Sequence, residues 1–385
     1  MKMHHGNNFW LAVATLVGTI IGVGIFGVPY AMSQVGLVLA LVYVVALGGI
    51  QLLQSLFFAE TVIACEEKSR LAGLAGRYLG PRFRLVSAVS SVLGFWGGLI
   101  AYILVGGTFL HFILSPLIGG DVYYYQLGWG LVGGIIIYFG LDFVEKIDFA
   151  STMALGVALL VVVGMSAKHV DLANFAHFAA GDYFLPYGVI LFSLSGMSAI
   201  PEMEDELGGN YRGFRRAIVW GTVLATGLTV LFALAVYGVT GAATTADAVT
   251  GLRAVMGNGI TVFAAAFGFL AVATSYFIIA IGLKSTFEYD YRIHRLPAWL
   301  LACGVPFGLV VIGVKNFISI VSFSGAVFGG VTAVMISLLY ITVTKRGLLK
   351  ERALGVPIFW AKLTIAVLSL GAIYEVVSTI RDWLA

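Results

Sequence analysis

Charged side chains are scarce in this chain: they make up 11% of its 385 residues, compared with about 25% in a typical soluble domain. The hydrophobic fraction is 60%, and the mean hydropathy is +1.00. Apolar runs long enough to cross a bilayer, about 20 residues each, recur along the whole sequence and leave no room for a separate soluble domain. The composition therefore predicts one polytopic membrane domain over residues 1–385, surrounded by lipid.

Cysteine is almost absent. The two cysteines, Cys65 and Cys303, fall in or beside different apolar segments, which argues against a disulfide framework or a metal-ligand spacing and predicts buried thiols. The sequence also has no GxxxxGK[ST] loop, no Cys/His cluster and no nucleophile–base pairing. These absences argue against an ATP-driven pump and predict a protein that is not an enzyme, uses no cofactor and binds no nucleic acid. Nothing in the sequence indicates an oligomeric state.

The apolar segments predict eleven membrane-spanning helices. They cover residues 9–32, 36–63, 85–113, 126–141, 147–167, 184–205, 213–239, 259–286, 296–313, 316–343 and 357–380. Eighteen of the 22 Lys and Arg residues fall on one side of these spans. Because basic residues accumulate in cytoplasmic loops, we expect a cytoplasmic N-terminus and, after an odd number of spans, an extracytoplasmic C-terminus in the cell or inner membrane.

Two of the spans contain helix-breaking residues near their centres. The first carries GTIIGVGIFGVPY (18–30), with four glycines and Pro29, and the sixth carries SLSGMS (193–198), followed by Pro201. Glycine weakens a helix interior and proline removes a backbone donor. Backbone groups without partners are not tolerated against lipid, so each break must face protein or a water-filled cavity. The alternative for each segment alone is a tight helix-packing face.

The two interrupted spans occupy matching places in the chain. One opens each half, a pattern typical of secondary transporters built from inverted repeats. This predicts a first repeat over 1–167, a second over 184–343 and an additional helix at 357–380. Half-helix ends expose N–H groups that can hold a carboxylate and C=O groups that can hold a cation. A small zwitterion such as an amino acid is therefore the predicted substrate.

The same segments resemble a known family. GTIIGVGIFGVPYAMSQVG (18–36) resembles the first-helix signature of the amino acid/auxin permeases and the aromatic amino acid permeases, both in the amino acid–polyamine–organocation superfamily. FSLSGMSAIPEMEDELGGNYRGFRRAI (192–218) is similar to their sixth helix and following loop, and VATSYFIIAIGLKSTFEYD (272–290) to the eighth helix of the aromatic permeases. The resemblance implies an all-α LeuT-type fold of five plus five helices, with discontinuous helices 1 and 6.

The resemblance also implies a substrate pocket. The amides at the first break would meet the substrate carboxylate, the sixth-helix break would complete the pocket, and an aromatic side chain would come from the third span. In this sequence these positions are Gly22, Val23 and Gly24, then Phe192, Ser193, Ser195 and Gly196, and Tyr102.

A coupling ion is suggested by the eighth span. Ala271, Thr274 and Ser275 are spaced i, i+3, i+4, which places two hydroxyls and a carbonyl on one helix face, and hard cations prefer oxygen ligands. Alternatively, the hydroxyls bond back to their own helix. The resemblance implies a sodium site here, completed by the carbonyls of Gly18 and Ile21. A second sodium site of that fold would need an amide side chain where this chain has Ile25, so one sodium is expected.

Protons are the alternative coupling ion. Intramembrane acids are costly and are candidate proton carriers; Glu60, Glu202 and Glu375 lie in spans, and Lys146 lies just before the fifth. The stretch PEMEDEL (201–207) also suggests an intracellular gate. We therefore expect a secondary active importer of a neutral L-amino acid, with sodium symport favoured. A proton-coupled symporter or exchanger, a channel and a sensor that binds an amino acid without transporting it remain alternatives.

Overall fold

The computed structural model describes residues 9–65, 70–139, 156–176 apart from 158, 182–349 and 355–384, and all regular secondary structure within them is helical. The helices are α1 (Phe9–Ile20), α2 (Gly24–Val35), α3 (Leu37–Ala64), α4 (Leu71–Tyr78), α5 (Pro81–Ile118), α6 (Val122–Phe139), α7 (Leu159–His169), α8 (Leu185–Ser193), α9 (Ile200–Leu207), α10 (Tyr211–Thr240), α11 (Val249–Met256), α12 (Asn258–Ser285), α13 (Arg295–Val311), α14 (Phe317–Lys345) and α15 (Ile358–Leu384).

Several of these helices can cross a membrane. By length and composition, six described helices qualify, or seven if the bent pair α1–α2 counts as one span. The six are α3, α5, α10, α12, α14 and α15. The multi-pass character is thus supported, whereas the count of eleven spans and the orientation stay predictions. Lys146 and the first part of the predicted span 147–167 lie outside the described residues.

Some helices extend several residues beyond the predicted spans. The third span was predicted at 85–113, but α5 runs from Pro81 to Ile118. It starts directly after Gly80, which has a positive φ of 109°, because proline is well suited to the first helical turn. The first span was predicted to end at 32, but α2 continues to Val35 and stops at Gly36, whose φ is 79°. Capping residues, rather than the end of the apolar run, set these limits.

The two predicted breaks divide two spans into half-helices. α1 and α2 replace the first span, and α8 and α9 replace the sixth. α1 packs against α9, while α2 packs against α8. Because the half-helices pair in this way, the two breaks lie side by side. Around them, α10 contacts α1 and α2, α5 contacts α12 and α14, and α3 and α14 contact α8. The interrupted backbone is therefore enclosed by protein.

Both cysteines are buried free thiols, as predicted.

Candidate functional site

The first break interrupts the hydrogen-bond ladder over three residues. α1 ends at Ile20, and α2 begins at Gly24 with its axis bent by 57°. The amide of Gly22 donates to the carbonyl of Ile20 at 2.9 Å, instead of to that of Gly18 as in a regular α-helix. Past the break, the first amides of α2 form long 3.3 Å bonds to the carbonyls of Gly22 and Val23. The glycines thus make a real discontinuity, which releases the Gly18 carbonyl from its helical partner.

The second break follows Ser193. The amide of Ser195 donates to the carbonyl of Phe192 at 3.2 Å, so the carbonyl of Leu191 loses the partner that a continuous helix would provide. Gln51 of α3 replaces this partner: its Nε2 donates to the Leu191 carbonyl at 2.8 Å in a buried position. Sequence reasoning missed Gln51, whose position 140 residues earlier gives no sign of this contact.

The two breaks touch each other. A Cβ atom on Gly24 would lie 2.7 Å from the Cα of Ser193 and 2.9 Å from the ring of Phe192. A Cβ atom on Gly196 would lie 2.6 Å from the side chain of Ile20. At Gly24 a larger side chain would require the Ser193 backbone to move. At Gly196 it would require the side chains of Ile20 and Leu16 to move. Gly24 and Gly196 therefore allow the broken segments to approach, and residues predicted from both breaks do come together.

Ser193 supplies an unusual group at this contact. Its side chain is 2% exposed, and its hydroxyl has no hydrogen-bond partner within the described residues. Leaving a buried hydroxyl unsatisfied costs about 1–3 kcal/mol. Such a group beside two interrupted helices is suited to a polar ligand. The side chains of Phe192 and Ser195 are half-buried beside it.

Tyr102 of α5 closes the other side of the first break. It is 5% exposed, and its hydroxyl is within hydrogen-bonding reach of the Val23 backbone and the Ser275 side chain. A Cβ atom on Gly22 would lie 2.6 Å from this hydroxyl. The carbonyl of Tyr102 accepts a hydrogen bond from Nε1 of Trp129 at 3.2 Å. Trp129, which the sequence did not single out, helps to hold Tyr102 against the break.

Tyr102 joins one of the predicted cation ligands of α12 to the first break. The Ser275 side chain is within hydrogen-bonding reach of the Tyr102 hydroxyl, and the same hydroxyl is within reach of the Val23 backbone in the first break. Gly18 and Ile21 belong to the same segment of the chain. Thr274 instead donates its hydroxyl to the carbonyl of Ala271 at 3.0 Å. This bond within the helix is the alternative to an ion site that the sequence left open. The Thr274 oxygen keeps its lone pairs, whereas the Ala271 carbonyl also accepts the backbone N–H of Ser275 within α12 and would have to give up one of these bonds to bind a cation.

The candidate proton and gate residues are spread over the structure. Glu60 is buried and accepts a hydrogen bond from the amide of Gly355 at 2.9 Å, so it fastens α3 to the segment before α15. Glu202 has an exposed side chain in the first turn of α9. A contact that the sequence did not reveal joins two half-helices at the acidic stretch: Thr15 of α1 donates to Glu206 of α9 at 2.9 Å. A gate at this stretch stays a prediction.

Two half-helix pairs that meet around a buried hydroxyl, in a membrane protein whose described residues form only helices, are the arrangement typical of a transporter. The chain belongs to the tryptophan/tyrosine permease family, whose model matches residues 5–377.

Individual proteins are similar over most of the chain. It is 22% identical over 332 residues to the tyrosine-specific transport system 1 of Haemophilus influenzae, covering 81% of this chain and 82% of that protein. Its fold is similar to that of MhsT, solved in complex with L-phenylalanine, with a TM-score of 0.69 at 16% identity over 96% of this chain and 97% of the other.

These findings confirm part of the sequence analysis. Membership of a permease family makes the protein a transporter rather than an enzyme, and it supports the predicted likeness to the aromatic amino acid permeases. The likeness to MhsT supports the predicted LeuT-type fold. A specific place among the amino acid/auxin permeases is not supported in the same way and stays a prediction.

Proposed function

We propose that this protein is a secondary active importer of an aromatic L-amino acid, with L-tyrosine as the first substrate to test. The observation that carries the proposal is the contact between the two breaks, where the Ser193 hydroxyl is buried without a partner. The family and the tyrosine-specific relative support the substrate class. The pairing of α1 with α9 and of α2 with α8 supports two inverted repeats, 1–167 and 184–343.

Each part of the substrate has a proposed partner. The backbone amides of Gly22, Val23 and Gly24 would hold the carboxylate, since helix N-termini favour anions. The Gly22 amide would exchange its bond to the Ile20 carbonyl for one to the substrate. The carbonyls and the Ser193 hydroxyl at the sixth-helix break would bind the ammonium group. Phe192 would pack against the aromatic ring, and such ring pairs contribute about 0.5–1.5 kcal/mol beyond burial. Gly98, one turn before Tyr102, leaves room there: a Cβ atom on it would lie 3.8 Å from the Phe192 ring.

We propose sodium as the coupling ion, bound by the carbonyls of Gly18, Ile21 and Ala271 and the hydroxyls of Thr274 and Ser275. Two observations support this set: the break removes the helical partner of the Gly18 carbonyl, and Ser275 reaches the same break through Tyr102. Oxygen ligands of this kind suit a hard cation.

The decisive experiment is uptake of L-tyrosine into proteoliposomes, with an inward sodium gradient compared with an inward proton gradient at equal membrane potential. Sodium-driven accumulation that is lost in Thr274→Ala and Ser275→Ala would support the proposed site. Thr342→Ala is the matched control, because Thr342 also donates to its own helix, at 2.8 Å from the Leu338 carbonyl, but belongs to α14. Accumulation driven by protons alone would overturn sodium coupling. Saturable binding without flux would identify a sensor, and a current that does not saturate with substrate would identify a channel.

We also propose a cytoplasmic N-terminus, eleven spans and an extracytoplasmic C-terminus. A phosphatase that folds only outside the cytoplasm, fused after Ala385, should be active. An inactive but intact fusion would contradict the odd number of spans.

A further inference from the structure

The last span carries a carboxyl group, Glu375, that has no counter-ion among the described residues. Glu375 of α15 is half-buried, and its Oε1 accepts a hydrogen bond from the Ser322 hydroxyl of α14 at 3.0 Å. Within the described part of the chain, no Lys, Arg or His side chain forms an ion pair with it. An unpaired charge in a membrane span is costly, so such a group is more stable when it can bind a proton or receive further hydrogen bonds.

Ser322 connects this carboxyl group to the sixth span. Its side chain is buried, and both its carbonyl and its hydroxyl press against Gly188 of α8; a Cβ atom on Gly188 would lie 2.5 Å from the Ser322 Oγ. Gly188 precedes Ser193 by five residues, or about 7.5 Å of helix rise. A change at Glu375 is therefore two contacts away from the half-helix that ends in the proposed substrate site.

Tyr187 of α8 provides an unused donor in the same place. It is 5% exposed, and its hydroxyl has no hydrogen-bond partner among the described residues. Its ring packs on Gly371, where a Cβ atom would lie 2.5 Å from the ring edge. Gly371 is one turn before Glu375 and on the same helix face. The phenol and the carboxyl group are close enough for their charges to interact.

Among the described residues, the charged groups that act on Glu375 are acidic. Asp182 just before α8 and Asp382 on α15 both act on it with the same sign as its own charge. Tyr43 of α3 lies within electrostatic range of Tyr187 and of Asp182 and Tyr374. The only cation nearby in sequence, Arg381, contacts Asp382 at 3.4 Å. Glu375 thus has hydroxyl donors and acidic groups around it and no cation beside it among the described residues. A carboxyl group in such an environment is suited to bind and release a proton.

We propose that Glu375, Ser322 and Tyr187 form a proton-binding site that controls the position of α8, the first half of the sixth span. With the proton bound, neutral Glu375 keeps its bond from Ser322, and α8 stays packed as observed. When the proton leaves, the carboxylate attracts the unused Tyr187 hydroxyl and draws α8 toward α15. This inference rests on the proposed transport function, but it does not require the proton to be the coupling ion.

The test measures L-tyrosine uptake at saturating sodium and fixed membrane potential, from acidic to alkaline external pH. Wild-type uptake should change several-fold with pH. Glu375→Gln, which is neutral at every pH, should remove this dependence while uptake continues at the rate seen for the protonated wild type. Asp382→Asn on the same helix is the matched control: it should keep the pH dependence, with the midpoint moved to lower pH because a like charge near Glu375 is removed. Ser322→Ala and Tyr187→Phe should each move the midpoint to higher pH, because the ionised carboxylate loses a donor.

A second readout does not depend on transport. Infrared difference spectra of the reconstituted protein between acidic and alkaline pH should show the C=O band of a protonated carboxylic acid, and Glu375→Gln should lack this band. A pH profile that is the same in wild type and Glu375→Gln, or an unchanged infrared difference, would overturn the proton site. Absence of tyrosine uptake by the wild type at every pH, with the infrared band present, would instead contradict the proposed function and leave the proton site standing.

Discussion

The two helix breaks differ in the residues that form them. The first is a run of glycines whose discontinuity exposes backbone groups, and Tyr102, which reaches its backbone at Val23, comes from another helix. The second is rich in serine and places the Ser193 hydroxyl at the contact. The Leu191 carbonyl, which loses its helical partner at this break, accepts a hydrogen bond from Gln51 instead. The first break therefore offers backbone dipoles, and the second offers side-chain and carbonyl oxygens.

This difference matches the two ends of an amino acid. A carboxylate is best held by several N–H groups at a helix start, whereas an ammonium group needs acceptors. A pocket made from two equal breaks would bind one end of the zwitterion well and repel the other. The asymmetry of the two segments is thus an argument for the proposed substrate class, and it can be tested by altering each break in turn.

The largest effect is expected from Gly24→Val, because it separates the two breaks. The new side chain would begin 2.7 Å from the backbone Cα of Ser193, and overpacking of this kind costs about 1–3 kcal/mol in stability. A displacement of about 1 Å at a reaction centre costs on the order of a hundredfold, and we expect a similar loss in tyrosine uptake. Gly49→Val is the control, since Gly49 has open space around it. Normal uptake by Gly24→Val would show that the breaks need not touch.

A smaller but more specific effect is expected at the first break. In Gly22→Ala the added methyl would lie 2.6 Å from the Tyr102 hydroxyl, so uptake should fall about tenfold, or about 1.4 kcal/mol. Tyr102→Phe removes the clashing oxygen. The double variant should therefore be less impaired than the two single losses predict, with a coupling energy of about 1 kcal/mol, within the range for residues in contact. Strictly additive losses in a full double-mutant cycle would contradict this contact.

The location of both breaks could be predicted from sequence, because glycine and proline act on the backbone at their own positions. The residues that support the breaks could not. Gln51 and Leu191 are 140 positions apart, and Trp129 follows Tyr102 by 27. A glutamine or tryptophan in an apolar helix is compatible with many neighbours until the packing is known. The same holds for Thr15 and Glu206, since the acidic stretch indicated a gate but not its partner.

The next largest effect is expected from Gln51, whose side chain supports the second break. Gln51→Leu leaves the buried Leu191 carbonyl without its donor, at a cost of about 1–3 kcal/mol. We expect a lower thermal unfolding temperature together with a higher apparent KM for tyrosine. Gln54→Leu is the matched control: it removes a buried bond to Ser337 of 2.9 Å and should reduce stability without changing KM. Equal KM values in the two variants would mean that Gln51 only stabilises the fold.

The smallest effect is expected from Ser193→Ala, and it separates binding from stability. Because the Ser193 hydroxyl has no partner in the described residues, its removal breaks no bond within the protein, so the thermal unfolding temperature of the substrate-free protein should stay the same or rise slightly. If the hydroxyl binds the substrate, the Kd for L-tyrosine should rise about fivefold, since a hydrogen bond contributes about 1 kcal/mol. Ser198→Ala, at an exposed position in the last part of the same interrupted stretch, should change neither quantity. Weaker binding with unchanged stability would be the signature of a group kept for a ligand, whereas a loss of stability with unchanged Kd would assign Ser193 to helix packing and move the ammonium site to the backbone carbonyls alone.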